Sequence, residues 1–288
     1  MRNLKGFSKM NINRRLFIGS GIAAGILPNM LIAKDPVIKT PLMLDTKRMA
    51  IHDGPGIRTT FFVKGCPLKC IWCHNPESIS PERQIARFKH LCQKCKKCTM
   101  DEATCPTRAF KVYGKPWSIE DLVKKALEDT PFYKRTGGGI TLSGGEPLYF
   151  WQWAYKFFSA CKEAGLSTCL DTSLYAPPIA VEKMLEVTDM WLPDFKAFDD
   201  GLHEKLTGVS NKIIKKNLER LVAANAKIEV RMLVVPNHND GEDLKARRAY
   251  LKSLGIAETS MVELEYLDYA RSKYLALGMK DTMPPKIK

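Results

Sequence analysis

From about residue 58 onward, short apolar runs rich in β-branched and aromatic residues alternate with longer stretches whose apolar positions recur at helical spacing. The short runs predict strands at 58–64 (RTTFFVK), 140–142, 166–170, 190–192, 227–235 (KIEVRMLVV) and 262–267 (VELEYL). The periodic stretches predict helices at 150–164, 179–187, 213–224 and 243–254. Ser118 opens one more helix, with Glu120 and Asp121 in its first turn and Leu122, Val123, Ala126 and Leu127 on one face. Six strands, most of them followed by a helix, predict an α/β protein. An open partial (β/α)6 barrel fits this order better than a doubly wound sheet.

Two segments break the alternation. Residues 1–40 carry Arg2, Lys5, Lys9, Arg14 and Arg15 with no acid before residue 33, then a weakly apolar Gly/Ala run. Paired arginines before such a run read as a twin-arginine export signal, too short and too weak to span a membrane. Export would carry a folded, cofactor-loaded protein; otherwise the extension has no structural role and the protein is cytoplasmic. Membrane contact is expected only if that signal is used. Residues 81–116 form the second interruption, leaving 41–80 and 117–280 for the barrel and 281–288 as a tail.

A formal charge of +14 first suggests nucleic-acid binding. The excess is local, however. The stretch from Glu82 to Lys115 holds nine bases against three acids, and no aromatic-and-basic RNA-binding pattern accompanies it. No nucleic-acid partner is expected. Nine cysteines lack the even, dispersed spacing of a disulfide framework and point to metal or redox use in a reducing compartment.

Cys66, Cys70 and Cys73 sit just after the first predicted strand, on a βα loop, where barrels place their chemistry. Three thiolates can hold three irons of a 4Fe–4S cube and leave the fourth open. The competing reading, a structural zinc loop, needs a fourth ligand, and His74 is the candidate. Cys92, Cys95, Cys98 and Cys105, the last followed by Pro106, have a bacterial ferredoxin pattern with a longer final gap. That quartet reads as an auxiliary 4Fe–4S site on a small ferredoxin-like insertion, with a four-cysteine zinc knuckle as the alternative. Gly144-Gly145-Glu146 ends the second strand, and its glycines suggest close approach of a ligand to the backbone. Asp171 with Thr172, Asp194 with Lys196, and Arg231 recur at later strand ends. Together they read as a pocket rather than as isolated caps and ion pairs.

The three-cysteine spacing resembles that of the radical S-adenosylmethionine superfamily. His52-Asp53-Gly54-Pro55-Gly56-Ile57-Arg58 before it, and Cys73-His74-Asn75-Pro76-Glu77 after it, resemble the activating enzymes of glycyl radical enzymes. So do Gly144-Gly145-Glu146-Pro147, Thr207-Gly208-Val209-Ser210-Asn211 and Ser272-Lys273-Tyr274, so the likeness runs from about residue 42 to 280. The resemblance implies that Cys66, Cys70 and Cys73 hold the catalytic cluster and that Trp72 and His74 line the cofactor. It implies that the main chain at Gly144 and Gly145, with Glu146, receives the methionyl amino group. Asp194 and Lys196 would hold S-adenosylmethionine, and Asp171, Thr172 and Asp194 would share a cation or the ribose. Arg231 belongs to the same pocket. One-electron cleavage of the cofactor would then abstract hydrogen from a backbone glycine of a partner enzyme, with a flavodoxin or ferredoxin as electron donor. The Asp53-Gly54-Pro55-Gly56 turn is expected near the active-site face. Cys161 and Cys169 need no catalytic role and are expected to be buried.

The stretch Glu265-Tyr266-Leu267-Asp268-Tyr269 departs from the family pattern, lacking its proline-tyrosine pair, and leaves Asp268 as the replacement for an adenosyl contact. Two rival functions remain: a radical enzyme acting on a small molecule or peptide, and an iron–sulfur electron carrier. The carrier has no use for residues 143–147 or 194–196.

Overall fold

The computed structural model describes residues 39–285. The export-signal reading of residues 1–40 therefore lies almost entirely outside the described residues. Among those described, no helix is long and apolar enough to cross a membrane.

The chain opens with β1 (Met43–Ala50) and β2 (Arg58–Val63), then the hairpin β3 (Gln84–Arg87) and β4 (Phe110–Tyr113). Helices α1 (Ile119–Leu127) and α2 (Thr130–Thr136) lead to β5 (Gly139–Gly144) and α3 (Trp151–Glu163). Next come β6 (Thr168–Thr172), α4 (Pro178–Met184), β7 (Met190–Pro193), α5 (Asp200–Thr207) and α6 (Lys212–Ala223). The last elements are β8 (Val230–Val234), α7 (Gly241–Ser253), β9 (Met261–Glu265) and α8 (Arg271–Ala276).

All six strands expected from the apolar runs form, and they are parallel in chain order. β2, β5, β6 and β7 lie in one sheet, and β8 pairs with β9. Parallel bridges from Trp191 to Ile228 and from Asp194 to Arg231 join β7 to β8. This is a mixed α/β architecture with one antiparallel member, β1, on the outer edge of β2.

β1 was not foreseen. Its burial is irregular, with Met43 and Ala50 buried and three consecutive exposed residues between, so no alternation marks it. α2 is also unmarked in the sequence, since Pro131 in its first turn and Gly137 at φ 70° bound a helix too short for a periodic signal. α5 is also short, capped by Asp199, which accepts from Leu202 N at 2.7 Å, and closed by Gly208 at φ 80°.

The main core lies between the sheet and the helices. Phe157 on α3 meets Phe61 edge-to-face at 5.6 Å and stacks on Trp153 at 5.5 Å. Each such buried ring contributes about 1.5–3 kcal/mol. Cys161 and Cys169 are fully buried, as expected.

The turn at His52–Gly56 lies against the amino-terminal halves of the strands. Thr60 donates to Asp53 Oδ2 at 2.8 Å, Thr141 donates to the Asp53 carbonyl at 2.6 Å, and Arg231 donates to the His52 carbonyl at 2.5 Å. A side chain at Gly54 would meet the Cys169 sulfur at 2.9 Å. The turn thus reaches from β2 to β8 as a floor beneath the strand series, and none of its residues lines the cavity described below.

Candidate active site

At the carboxyl ends of these strands lies a cavity of about 540 Å³. Its wall combines Cys66, Cys70 and Cys73 with Trp72, His74, Gly144, Gly145, Glu146, Asp171, Thr172, Asp194 and Lys196. The sequence-predicted residues of the first site therefore meet in one place. Arg231 stands behind the wall, 3.7 Å from Asp171 Oδ2.

The cysteine loop has no regular structure of its own and is held from outside. Lys69 N donates to the Thr207 carbonyl at 2.7 Å and Ile71 N to the Leu206 carbonyl at 3.0 Å, both at the end of α5. Tyr274 Oη donates to the Cys73 carbonyl at 3.2 Å, and Thr282 Oγ1 to the Ile71 carbonyl at 3.0 Å. Lys273 Nζ reaches the His74 carbonyl, Asn75 Oδ1 and, at 2.6 Å, Glu77 Oε1. Trp72 is buried with Leu206, Tyr266, Tyr274 and Met283, so residues 281–285 pack on the loop instead of forming a free tail. The Thr207 and Ser272–Tyr274 words of the sequence are the braces of this loop.

The two glycines answer first to the protein itself. Gly144 has φ 114°, and a Cβ there would sit 2.4 Å from backbone atoms of Val63. One at Gly145 would sit 2.2 Å from the Gly65 carbonyl. Gly145 N donates to Val63 and Glu146 N to Gly65, so β5's end lies directly against the start of the cysteine loop. With those N–H groups spent, Gly145 and Glu146 have no backbone donor left for a ligand.

Glu146 is buried, and its carboxylate is filled by the protein. Oε1 accepts from Thr172 at 2.6 Å and Leu148 N at 3.0 Å; Oε2 accepts from Ser173 N at 2.7 Å and the Ser173 hydroxyl. Burial pushes its pKa up while the Ser173 and Thr172 donors oppose the shift. The three donors from Thr172 and Ser173 tie the ends of β5 and β6 together. Ser143 and Ser173, whose hydroxyls bond Asp171 and Glu146, are among the wall residues that sequence reasoning did not single out.

Asp171 accepts from Ser143 at 2.6 Å; burial raises its pKa to about 6, against the pull of Arg231. Asp194 pairs with Lys196 at 2.8 Å. Burial disfavours the Lys196 ammonium, yet Asp194 and then Cys70 hold its proton above the usual lysine range. Burial pushes the Cys66 and Cys70 thiols up and Cys73 to about 12, so these sulfurs become good ligands only beside positive charge. The donor set suits an iron–sulfur cluster: three thiols on one wall, a fixed cation behind them, and carboxylates opposite. Among the described residues, no three His, Cys, Asp or Glu side chains converge on one ion. His74 Nε2 donates to the Leu267 carbonyl at 3.1 Å and is engaged there.

Asp268 does not line the cavity. It pairs with Arg271 at 3.1 Å, and Leu264 to Leu267 form that wall.

The insert is the β3–β4 hairpin with the loop 88–109 between its strands. Cys95 and Cys98 are exposed, and Cys92 and Cys105 half-buried. Arg87 reaches the Cys92 sulfur at 3.6 Å and holds its pKa below the ordinary value; the Thr107 hydroxyl does the same for Cys105.

Three thiols on a strand-end loop thus share one cavity with a glycine turn and two carboxylates at neighbouring strand ends. The Radical SAM superfamily matches residues 60–248. The chain is 37% identical to the (2S)-3-sulfopropanediol dehydratase activating enzyme of Klebsiella oxytoca, over 83% of this chain and 86% of that protein. It is 34% identical to the trans-4-hydroxy-L-proline dehydratase activating enzyme of Clostridioides difficile, over 81% and 87%. It is 32% identical to the pyruvate formate-lyase 2-activating enzyme of Escherichia coli, over 84% of each. A solved domain of pyruvate-formate lyase-activating enzyme from Bacteroides vulgatus matches 40% of this chain at 28% identity and a TM-score of 0.39, too little to bear on the architecture. The chain belongs to the radical S-adenosylmethionine superfamily and, within it, to the activating enzymes of glycyl radical enzymes.

Proposed function

We propose that this activating enzyme takes hydrogen from a backbone glycine of its partner inside the cavity at the strand ends, with each wall in a distinct role. The single observation that carries this reading is the meeting of Cys66, Cys70 and Cys73 with Glu146, Asp171, Asp194 and Lys196 around one cavity. Cys66, Cys70 and Cys73 hold a 4Fe–4S cluster. When bound, the cluster and S-adenosylmethionine supply one-electron cleavage of a carbon–sulfur bond and the hydrogen abstraction that follows.

The chain's own groups bind, orient and exclude water. Carbonyls of the Gly144-Gly145 turn accept from the methionyl ammonium, while Glu146, filled by its four donors, positions that turn rather than touching the cofactor. Asp171, Thr172 and Asp194 take a cation or the ribose. Lys196 keeps its proton beside the thiolates, and Arg231 neutralises Asp171 from behind. Trp72 shields the cluster, and His74 stands at the mouth. No general base is required, because hydrogen leaves as an atom.

The parallel strand series reads as an open partial (β/α)6 barrel formed by 41–80 and 117–280. Residues 81–116 read as a ferredoxin-like insert in which Cys92, Cys95, Cys98 and Cys105 hold an auxiliary 4Fe–4S cluster. The partner is a glycyl radical enzyme and the electron donor a flavodoxin or ferredoxin, which places the reaction in the cytoplasm.

The test is iron content and cofactor cleavage in anaerobically reconstituted protein. Wild type should bind about seven to eight irons, Cys95→Ala about four, and Cys70→Ala should abolish reductive cleavage. Cleavage retained in Cys70→Ala refutes the site, and zinc in the insert refutes the auxiliary cluster.

A further inference from the structure

The established reaction consumes one electron per cofactor cleaved, and no side chain of the cavity wall supplies it. The insert presents the features of a place where that electron enters. Of its nine bases, only Lys111 and Lys115 pair with carboxylates among the described residues, at 3.6 Å to Asp45 and 3.5 Å to Glu102. Arg87 is turned onto the Cys92 sulfur. Arg83, Lys89, Lys94, Lys96, Lys97 and Arg108 remain exposed and without a carboxylate partner.

These cations are not spread evenly. Lys94, Lys96 and Lys97 alternate with Cys95 and Cys98, whose side chains are themselves exposed. A depression of about 500 Å³ is lined by Phe88, His90, Leu91, Arg108, Phe110 and Lys111, with Glu102 also in its wall. Leu91 is 41% exposed and Met100 60%, so apolar side chains of the same loop stand uncovered. Uncovered apolar groups together with unpaired cations suit a protein interface, and four thiolates of one cluster would not neutralise these cations.

We infer that the loop 88–109 is the docking surface for an acidic one-electron donor protein, delivering its electron at the exposed Cys95–Cys98 edge. This rests on the auxiliary-cluster reading above. Opposite charge fixes the donor's sign, and the exposed thiols fix where its redox centre must approach. The step balances simply: the donor loses one electron, the insert's cluster gains it, and no proton or bond moves.

The experiment uses iron-loaded holoenzyme and a photoreduced acidic flavodoxin, with the neutral 5-deazariboflavin radical as the small reductant. Cluster bleaching is followed by stopped-flow absorbance, and binding of oxidised flavodoxin by flavin fluorescence. Raising salt from about 0.02 to about 0.5 M should slow reduction by flavodoxin at least tenfold and leave the neutral radical unaffected. Lys94→Glu with Lys96→Glu and Lys97→Glu should slow flavodoxin about ten- to a hundredfold at low salt, weaken its binding and spare the neutral radical and the iron content. If that variant loses iron, Arg83→Glu with Lys89→Glu, off the cysteine run, should give the same selective slowing. Equal responses of both reductants, with iron in place, overturn the docking surface alone. Zinc in the wild-type insert overturns both it and the cluster reading.

Discussion

The brace between Lys273 and Glu77 offers the sharpest test of how the cysteine loop is held. Glu77 is 5% exposed and Lys273 30%. Their closest atoms are 2.6 Å apart, and Glu77 Oε2 has no other hydrogen-bond partner. At an effective dielectric of about 20, unit charges at that distance attract by about 6 kcal/mol before desolvation. Exposed pairs contribute about 0–1 kcal/mol, and breaking a fully buried one costs about 3–5 kcal/mol. This half-buried pair falls between, at about 2–3 kcal/mol. Lys273→Met should therefore lower the Tm of the holoenzyme by about 5–10 °C. Where local opening governs loss of metal, release of iron to a chelator should quicken about 30- to 150-fold. Glu77→Gln in the same chain removes the stranded carboxylate and should restore most of the loss, because an unpaired buried charge costs more than a missing pair. Tm by scanning calorimetry and iron release to a ferrous chelator read both effects. A double variant no better than Lys273→Met, or a single variant like wild type, refutes the brace.

Two further outcomes follow from the cavity wall. Because burial lifts Asp171 to about 6 from an ordinary value near 3.8, the folded state binds more protons than the unfolded one between those values, and stability is lost as pH rises through that window. Asp171→Asn should thus raise the Tm of the metal-free protein at pH 7, with the gain fading below pH 6 towards pH 4, while cofactor binding by calorimetry weakens at least about tenfold; a gain independent of pH would refute the argument. Gly145→Ala should displace the Gly65 backbone, which lies 2.2 Å from the added carbon, and the reconstituted protein should lose about four irons while the insert keeps its own. Full iron content in that variant would show that the strand ends tolerate separation.

Much of this molecule was legible where chemistry is written locally. Cys66, Cys70 and Cys73 share one short loop, and the six parallel strands show as short runs rich in β-branched and aromatic residues. What could not be read is what distant segments do for one another. Lys273 and Glu77 stand 196 residues apart, and Arg231 and His52 179 apart. Nothing near either member marks the pair. β1 escaped notice because it lies on the sheet's edge with mostly half-buried or exposed side chains. The glycines of the Gly144-Gly145 turn were correctly placed but assigned to ligand approach. Backbone packing against Val63 and Gly65 already demands them. The four donors that fill Glu146 come from Leu148, Thr172 and Ser173, which the motif alone does not show.

The manner in which the loop at residues 66–74 is secured has a consequence in time. Its supports, Thr207, Lys273, Tyr274 and Thr282, are all made later, three of them about 200 residues downstream of the residues they hold. A nascent chain holding the three cysteines lacks the walls that orient them. Iron delivered at that stage would meet three floppy thiols open to oxygen and to foreign metals. Loading of the loop therefore belongs after Thr282 has been made, when these braces can close on it.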